Sequence, residues 1–314
     1  MHFLLTENII EKAMNYKKPS SKSWASSFFR NQLKKLQSFT EDEPITAERR
    51  AQDFIGMLLQ KIQHPDVRFC PLEFNRFQAA MALPPSSDCS GAVLYLHGGG
   101  YCCGGLEYAK GFGATLATEG GISVLCPAYR LAPEYPFPAA LDDAMTAYRF
   151  LIEKYDPRKV VLVGESAGGG LIFSVCLAAK KLGLPLPAGL VAISPWTDLT
   201  ASGKSYVENE SMDPSISLRR LQFFASCYTD EPENPLASPL FGDLLNFPES
   251  LLFVGGDEIM RDDAVKLHQK LLASGCKSTL TVAPNMWHVY VLYGVKDRRQ
   301  DMDAIQKFIQ RVAQ

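Results

Sequence analysis

Six short runs of strand-forming apolar residues recur at Ala92 to Leu96, Ile122 to Cys126, Val160 to Val163, Leu190 to Ile193, Leu251 to Val254 and Leu280 to Val282. Each is separated from the next by a segment long enough for a helix, the rhythm of βαβ units in a parallel, doubly wound sheet. Such a sheet takes its ligands in the crevice at the carboxyl ends of its strands, so chemistry is expected just after each run. Ahead of the first run, Val67 to Leu83 alternates as two short strands. Residues 6–63 show helical spacing, with Ile9, Ile10, Ala13 and Met14 and then Phe54, Ile55, Leu58, Leu59 and Ile62 on one face. The stretch between Ser194 and Leu251 is too long for a simple crossover. Residues 200–232 are therefore expected to form a cap insertion and 1–63 to contribute further cap helices, with 64–314 as the catalytic domain.

A net charge of -2 and the lack of any long basic run argue against nucleic acid or an anionic membrane as partner. The opening Met1 to Glu7 has no basic leader, and no stretch approaches the ~20 apolar residues of a membrane span. The eight cysteines (70, 89, 102, 103, 126, 176, 227 and 276) form no Cys-x-x-Cys pair, which predicts reduced thiols in a cytoplasmic protein and no metal or other cofactor. The expected partner is a small, nearly neutral molecule; a homodimer is compatible.

Gly164-Glu165-Ser166-Ala167-Gly168 stands between a strand and a helical segment. In that context Gly-x-Ser-x-Gly reads as a nucleophile elbow, because the glycines allow the sharp turn that exposes a serine hydroxyl. His97-Gly98-Gly99-Gly100 ends the strand at 92–96, and bare N–H groups there could join that of Ala167 in an oxyanion hole. Gly99, Gly100 and Ala167 are the candidate donors, and His97 is expected to order the loop. Serine needs a base held by an acid. Of five histidines only His288 follows the last strand. For the acid, Asp257 follows the preceding strand through Gly255-Gly256; Glu258, Asp262 and Asp263 compete, the last two fitting better in the first turn of the next helix, and Asp198 is weaker. The order Ser166, Asp257, His288 agrees with that of α/β hydrolases.

These segments resemble the hormone-sensitive-lipase-like branch of the α/β-hydrolases. The similarity runs from about residue 67 to the end, through His97 to Gly100, Tyr129 to Ala144, the serine elbow, Ser194 to Leu199, Gly256-Asp257-Glu258 and Met286-Trp287-His288. The stretch from Asp257 to Ala264 is most similar to bacterial acetyl-hydrolases and the monoterpene ε-lactone hydrolase group. The resemblance implies an eight-stranded, mostly parallel sheet with a helical cap, and hydrolysis of short- to medium-chain acyl esters through an acyl-enzyme without a metal. A lactone hydrolase or amidase with the same triad is the alternative, followed by a non-catalytic binding homologue. Tyr101, Trp196, Met212 and Phe224 are expected to line the substrate pocket, among cap aromatics that include Trp24, Phe28, Phe29 and Tyr206. Glu165 stands where the branch more often has Asp, Tyr101 where it has Phe or Trp, and Cys102-Cys103 come next; a thiol role for these two is a minor expectation.

Overall fold

The computed structural model describes residues 30–31, 33–34, 44–85, 90–293 and 298–313. Within them lies one sheet of eight strands: β1 (Arg68–Glu73), β2 (Gln78–Leu83), β3 (Ala92–Leu96), β4 (Ser123–Ala128), β5 (Val160–Glu165), β6 (Gly189–Ile193), β7 (Glu249–Gly255) and β8 (Ser278–Ala283). Their spatial order is β1-β2-β4-β3-β5-β6-β7-β8. The β1–β2 and β2–β4 pairs are antiparallel, and every pair from β4 onward is parallel. All six runs read as strands are strands, and Val67 to Leu83 is the expected hairpin.

Strands buried on both faces must be apolar on both, which is why β3, β5 and β6 have no polar alternation. Leu94, Leu162, Leu190 and Leu252 face helices α3 (Ala139–Lys154) and α4 (Ala167–Lys181), which contribute Leu151, Ile172 and Phe173. The alternate residues Val93, Tyr95, Val161, Val191 and Phe253 face α2 (Leu106–Gly120) and the last helix, α8 (Arg298–Val312), where Phe112, Ile305 and Phe308 close the second core layer.

Helix α1 (Ile45–Gln63) packs on α2. At their crossing a Cβ on Gly56 would collide with the Glu107 carbonyl, and one on Gly111 would meet Gly56, so two missing side chains set the approach. The long β6–β7 connection holds α5 (Ser205–Glu208) and α6 (Leu218–Tyr228), before α7 (Arg261–Ala273) joins β7 to β8. Arg220 of α6 pairs with Glu48 of α1 at 2.5 Å. Arg49 donates to the carbonyls of Cys102 and Ala132 and to Glu134, fastening α1 to the loops after β3 and β4. The helical spacing expected at Ile9 to Met14, and Trp24, Phe28 and Phe29, lie outside the described residues. Among the described residues no helix is long and apolar enough to cross a membrane.

Candidate active site

Ser166 sits between β5 and α4 with φ +54° and ψ -122°, a conformation that L-residues avoid. Such strain persists only where the surroundings over-determine it. Here the Ser166 N–H donates to the Ile193 carbonyl, and the Ser166 carbonyl accepts from Gly170 and Trp196. The flanking glycines are obligatory. A Cβ on Gly164 would strike the Gly168 backbone, and one on Gly168 would strike the carbonyls of Leu96 and His97. The elbow is thus pressed against the end of β3, where the glycine loop begins.

That loop is held from below. The Glu165 carboxylate, 1% exposed, accepts from the Gly98 N–H at 2.6 Å and from the hydroxyls of Tyr95 and Tyr108. Burial raises its pKa, against which these donors and the nearby His288 work. His97 stacks on Tyr129 with centroids 4.2 Å apart, and its Nδ1 lies 2.7 Å from the Gly98 carbonyl. Burial drives its pKa down to about 4, so it is a neutral brace in the loop, as its position suggested. Gly99 and Gly100 take φ of +104° and +62°, and no backbone hydrogen bond among the described residues uses their N–H groups or that of Ala167.

His288 comes after β8, and its Nε2 is 2.9 Å from Ser166 Oγ. Its Nδ1 faces Glu258 Oε1 at 3.4 Å. Glu258 is fully buried, and its other oxygen accepts from Ser194 Oγ at 2.7 Å and from the Gly255 N–H at 2.9 Å. The Ser194 hydroxyl also accepts from the Val289 N–H, tying Glu258 to the histidine loop. Burial alone would lower the imidazole pKa. The hydrogen bond and charge of Glu258, with the charges of Asp213 and Glu165, outweigh it, and the pKa is raised.

The carboxylate that faces His288 is thus Glu258, where Asp257 was expected. After β7 the chain turns tightly, with the Glu258 N–H directed at the Gly255 carbonyl. This turn folds the Glu258 side chain back over the strand end and sends that of Asp257 outward, where Arg30 holds Oδ2 at 2.6 Å. Asp263 instead accepts from the N–H groups of Thr197 and Asp198 and from Tyr206 Oη, bracing the loop after β6. Asp262 accepts from the Ser205 N–H. Asp198 is occupied by Thr200 and Ser202.

The four expected pocket residues part company. Phe224 of α6 covers the oxyanion loop: a Cβ on Gly100 would run into its ring. Tyr101 stacks on Tyr228 with centroids 3.8 Å apart and packs near Trp196, all three rings buried. Met212 is exposed, with its carbonyl bound by Arg30. Cys102 and Cys103 are buried, and burial pushes both thiols far up, away from thiolate chemistry. Ser194, Asn209, Asp213 and Arg30 carry no spacing signature of their own. Ser194 lies within the Ser194 to Leu199 motif, but nothing in its neighbours announces its bond to Glu258.

A family model described as alpha/beta hydrolase fold matches residues 93–292, well over half the chain. The chain belongs to the α/β-hydrolase family. This α/β-hydrolase is 39% identical over 212 residues to an acetyl-hydrolase of Streptomyces hygroscopicus, covering 67% of this chain and 71% of that one. It is 29% identical over 266 residues to an ethyl acetate hydrolase of Pseudomonas putida, covering 79% and 83%. Among solved structures, an esterase from the bacterial hormone-sensitive lipase family superposes with a TM-score of 0.87 at 34% identity, over 94% of this chain and 100% of that one. The α/β-hydrolase thus sits in the hormone-sensitive-lipase-like branch that its motifs resemble.

Proposed function

We propose that the protein hydrolyses short- to medium-chain acyl esters with Ser166 as nucleophile, His288 as general base and Glu258 as the acid that orients it. The observation that carries this reading is the 2.9 Å contact between Ser166 Oγ and His288 Nε2 at the end of a parallel sheet. Ser166 attacks the ester carbonyl as His288 takes its proton, and the tetrahedral oxyanion forms against the N–H groups of Gly99, Gly100 and Ala167. As the imidazolium appears, Glu258 gains a charge-assisted partner, so the 3.4 Å contact is expected to shorten. The leaving alcohol takes the proton back from His288, and water repeats the cycle on the acyl-enzyme.

The relatives that act on acetyl groups and ethyl acetate support a small acyl group, as does Phe224, whose ring roofs the oxyanion loop and narrows the space beside it. Helix α6, with α1 and Arg30, serves as the cap in this reading. Seven free cysteines among the described residues, five of them buried, suit a reducing cytoplasm. Among the described residues β8 ends the sheet with an unpaired edge, which a second copy could extend into a homodimer. The test is hydrolysis of p-nitrophenyl esters from acetate to laurate by the wild type and by Ser166→Ala. Activity falling with chain length and lost in the variant is expected; undiminished turnover in Ser166→Ala would reject the reading.

A further inference from the structure

Arg30 reaches the active site from outside it. Nη1 donates to the Met212 carbonyl at 2.6 Å, and Nη2 donates to Asp257 Oδ2 at 2.6 Å and to the Asn285 carbonyl at 2.9 Å. The guanidinium carbon also lies 5.8 Å from the centre of the Trp287 ring. One side chain therefore touches the β6–β7 insertion, the loop after β7 and the loop after β8. Three of its four partners immediately precede a buried charged or titratable residue of the site: Met212 precedes Asp213, Asp257 precedes Glu258, and Trp287 precedes His288.

We propose that Arg30 is a positioning residue that sets the separation of Glu258 and His288 by pinning the residues next to them, with Asp257 as its anchor. This rests on the assignment of Glu258 and His288 proposed above. The loops after β7 and β8 each meet the site through one side chain, and the β7–β8 pairing ends at Gly255 and Ala283, short of both loops. On the inner side Asn209 Nδ2 holds the Gly256 and Glu258 carbonyls, and Asp213 Oδ2 accepts from the Ile259 N–H. On the outer side Arg30 performs the matching task, and its planar fork suits it. Three acceptors on three segments need several donors in fixed directions, which guanidinium offers and a lysine ammonium does not.

The side chains of Arg30 and Asp257 are 28% and 22% exposed, so the pair contributes little to global stability. Its effect should be on geometry, where a displacement near 1 Å can cost on the order of a hundredfold in rate. Arg30→Ala, Arg30→Lys, Asp257→Asn and the double variant Arg30→Ala/Asp257→Asn are compared with the wild type in kcat, KM and thermal midpoint. Arg30→Ala is expected to lose about 10- to 100-fold in kcat with KM changed less than threefold, and Arg30→Lys to recover only part. The double variant should be no worse than Arg30→Ala, because the two act as one unit. Millimolar ethylguanidine, below any denaturing effect, should restore kcat in Arg30→Ala and leave Ser166→Ala inert. Wild-type kcat in folded Arg30→Ala would overturn the proposal while leaving the triad intact. Loss in Arg30→Ala that tracks its thermal midpoint and resists ethylguanidine would also overturn it, making the contact structural only. Failure of the triad itself shows separately, as activity retained in Ser166→Ala or Glu258→Gln.

Discussion

Glu258→Gln puts the acid assignment to its hardest test, because the surroundings dictate how the new amide must sit. Oε2 of Glu258 receives two donors, the Gly255 N–H at 2.9 Å and the Ser194 hydroxyl at 2.7 Å. The Ser194 oxygen already accepts from the Val289 N–H, so its own proton is free to point at the acid. A glutamine must therefore turn its carbonyl toward these donors, and its NH2 then faces His288 Nδ1. Two donors cannot face one another, so Nδ1 becomes the acceptor and the ring proton moves to Nε2. That proton points at Ser166 Oγ, and the imidazole can no longer take the serine proton. A wrong tautomer of this kind costs about 10⁴ in kcat in the well-studied serine protease case, or roughly 5.5 kcal/mol at 1.36 kcal/mol per decade. Asp257→Asn disturbs only the Arg30 contact and is expected to cost 100-fold or less by the displacement argument. Turnover of p-nitrophenyl butyrate is measured for both variants, with circular dichroism to establish folding. If Asp257→Asn is the nearly inactive one and Glu258→Gln works within tenfold of the wild type, Glu258 is not the acid that orients His288.

Asp213→Asn removes a buried charge that favours the imidazolium, alongside Glu258 and Glu165, so the His288 pKa falls and the acid limb of kcat/KM moves to lower pH; a limb that stays or rises in the pH profile contradicts this. Asp213 itself is held up near a pKa of about 6 by burial, with Glu258 adding to the rise and His288 opposing it, so at pH 8 it supplies its full charge. Gly100→Ala places a methyl group against the Phe224 ring at a positive φ and should lose about 100-fold in kcat by shifting an oxyanion donor worth ~3 kcal/mol, read by steady-state kinetics on the acetate ester. Asp263→Ala strips the acceptor from two buried N–H groups and the Tyr206 hydroxyl, and should lower stability by about 3–5 kcal/mol in urea unfolding.

The sheet was legible because parallel strands buried on both faces are continuous apolar runs, and all six were found within three residues of their ends. The elbow and glycine loop were legible for a related reason: their glycines are demanded by close backbone approach, which leaves a mark in the sequence. The acid was not. Asp257 and Glu258 are adjacent, both are carboxylates, and both come after Gly255-Gly256; only the tightness of the turn decides which one points inward. The stacking of Tyr101 on Tyr228 was not legible either, since the two rings are far apart along the chain and no local pattern pairs them. Arg30 lay beyond any pattern, because its partners are separated from it by 182 to 255 positions along the chain and two of the three hydrogen-bond acceptors are backbone carbonyls.

The pairing of Leu96 with Gly164 across β3 and β5 has a wider consequence. The loop that presents Gly99 and Gly100 and the turn that presents Ser166 leave the sheet from neighbouring strands, so their lateral offset is inherited from the ~4.8 Å spacing of any hydrogen-bonded strand pair. In the proposed reaction, the spacing of the serine from the anion donors is in this sense a lattice constant of the β-sheet. Specificity can then drift through changes in α6 and its surroundings while the distance between attacking oxygen and anion donors stays where the strands put it.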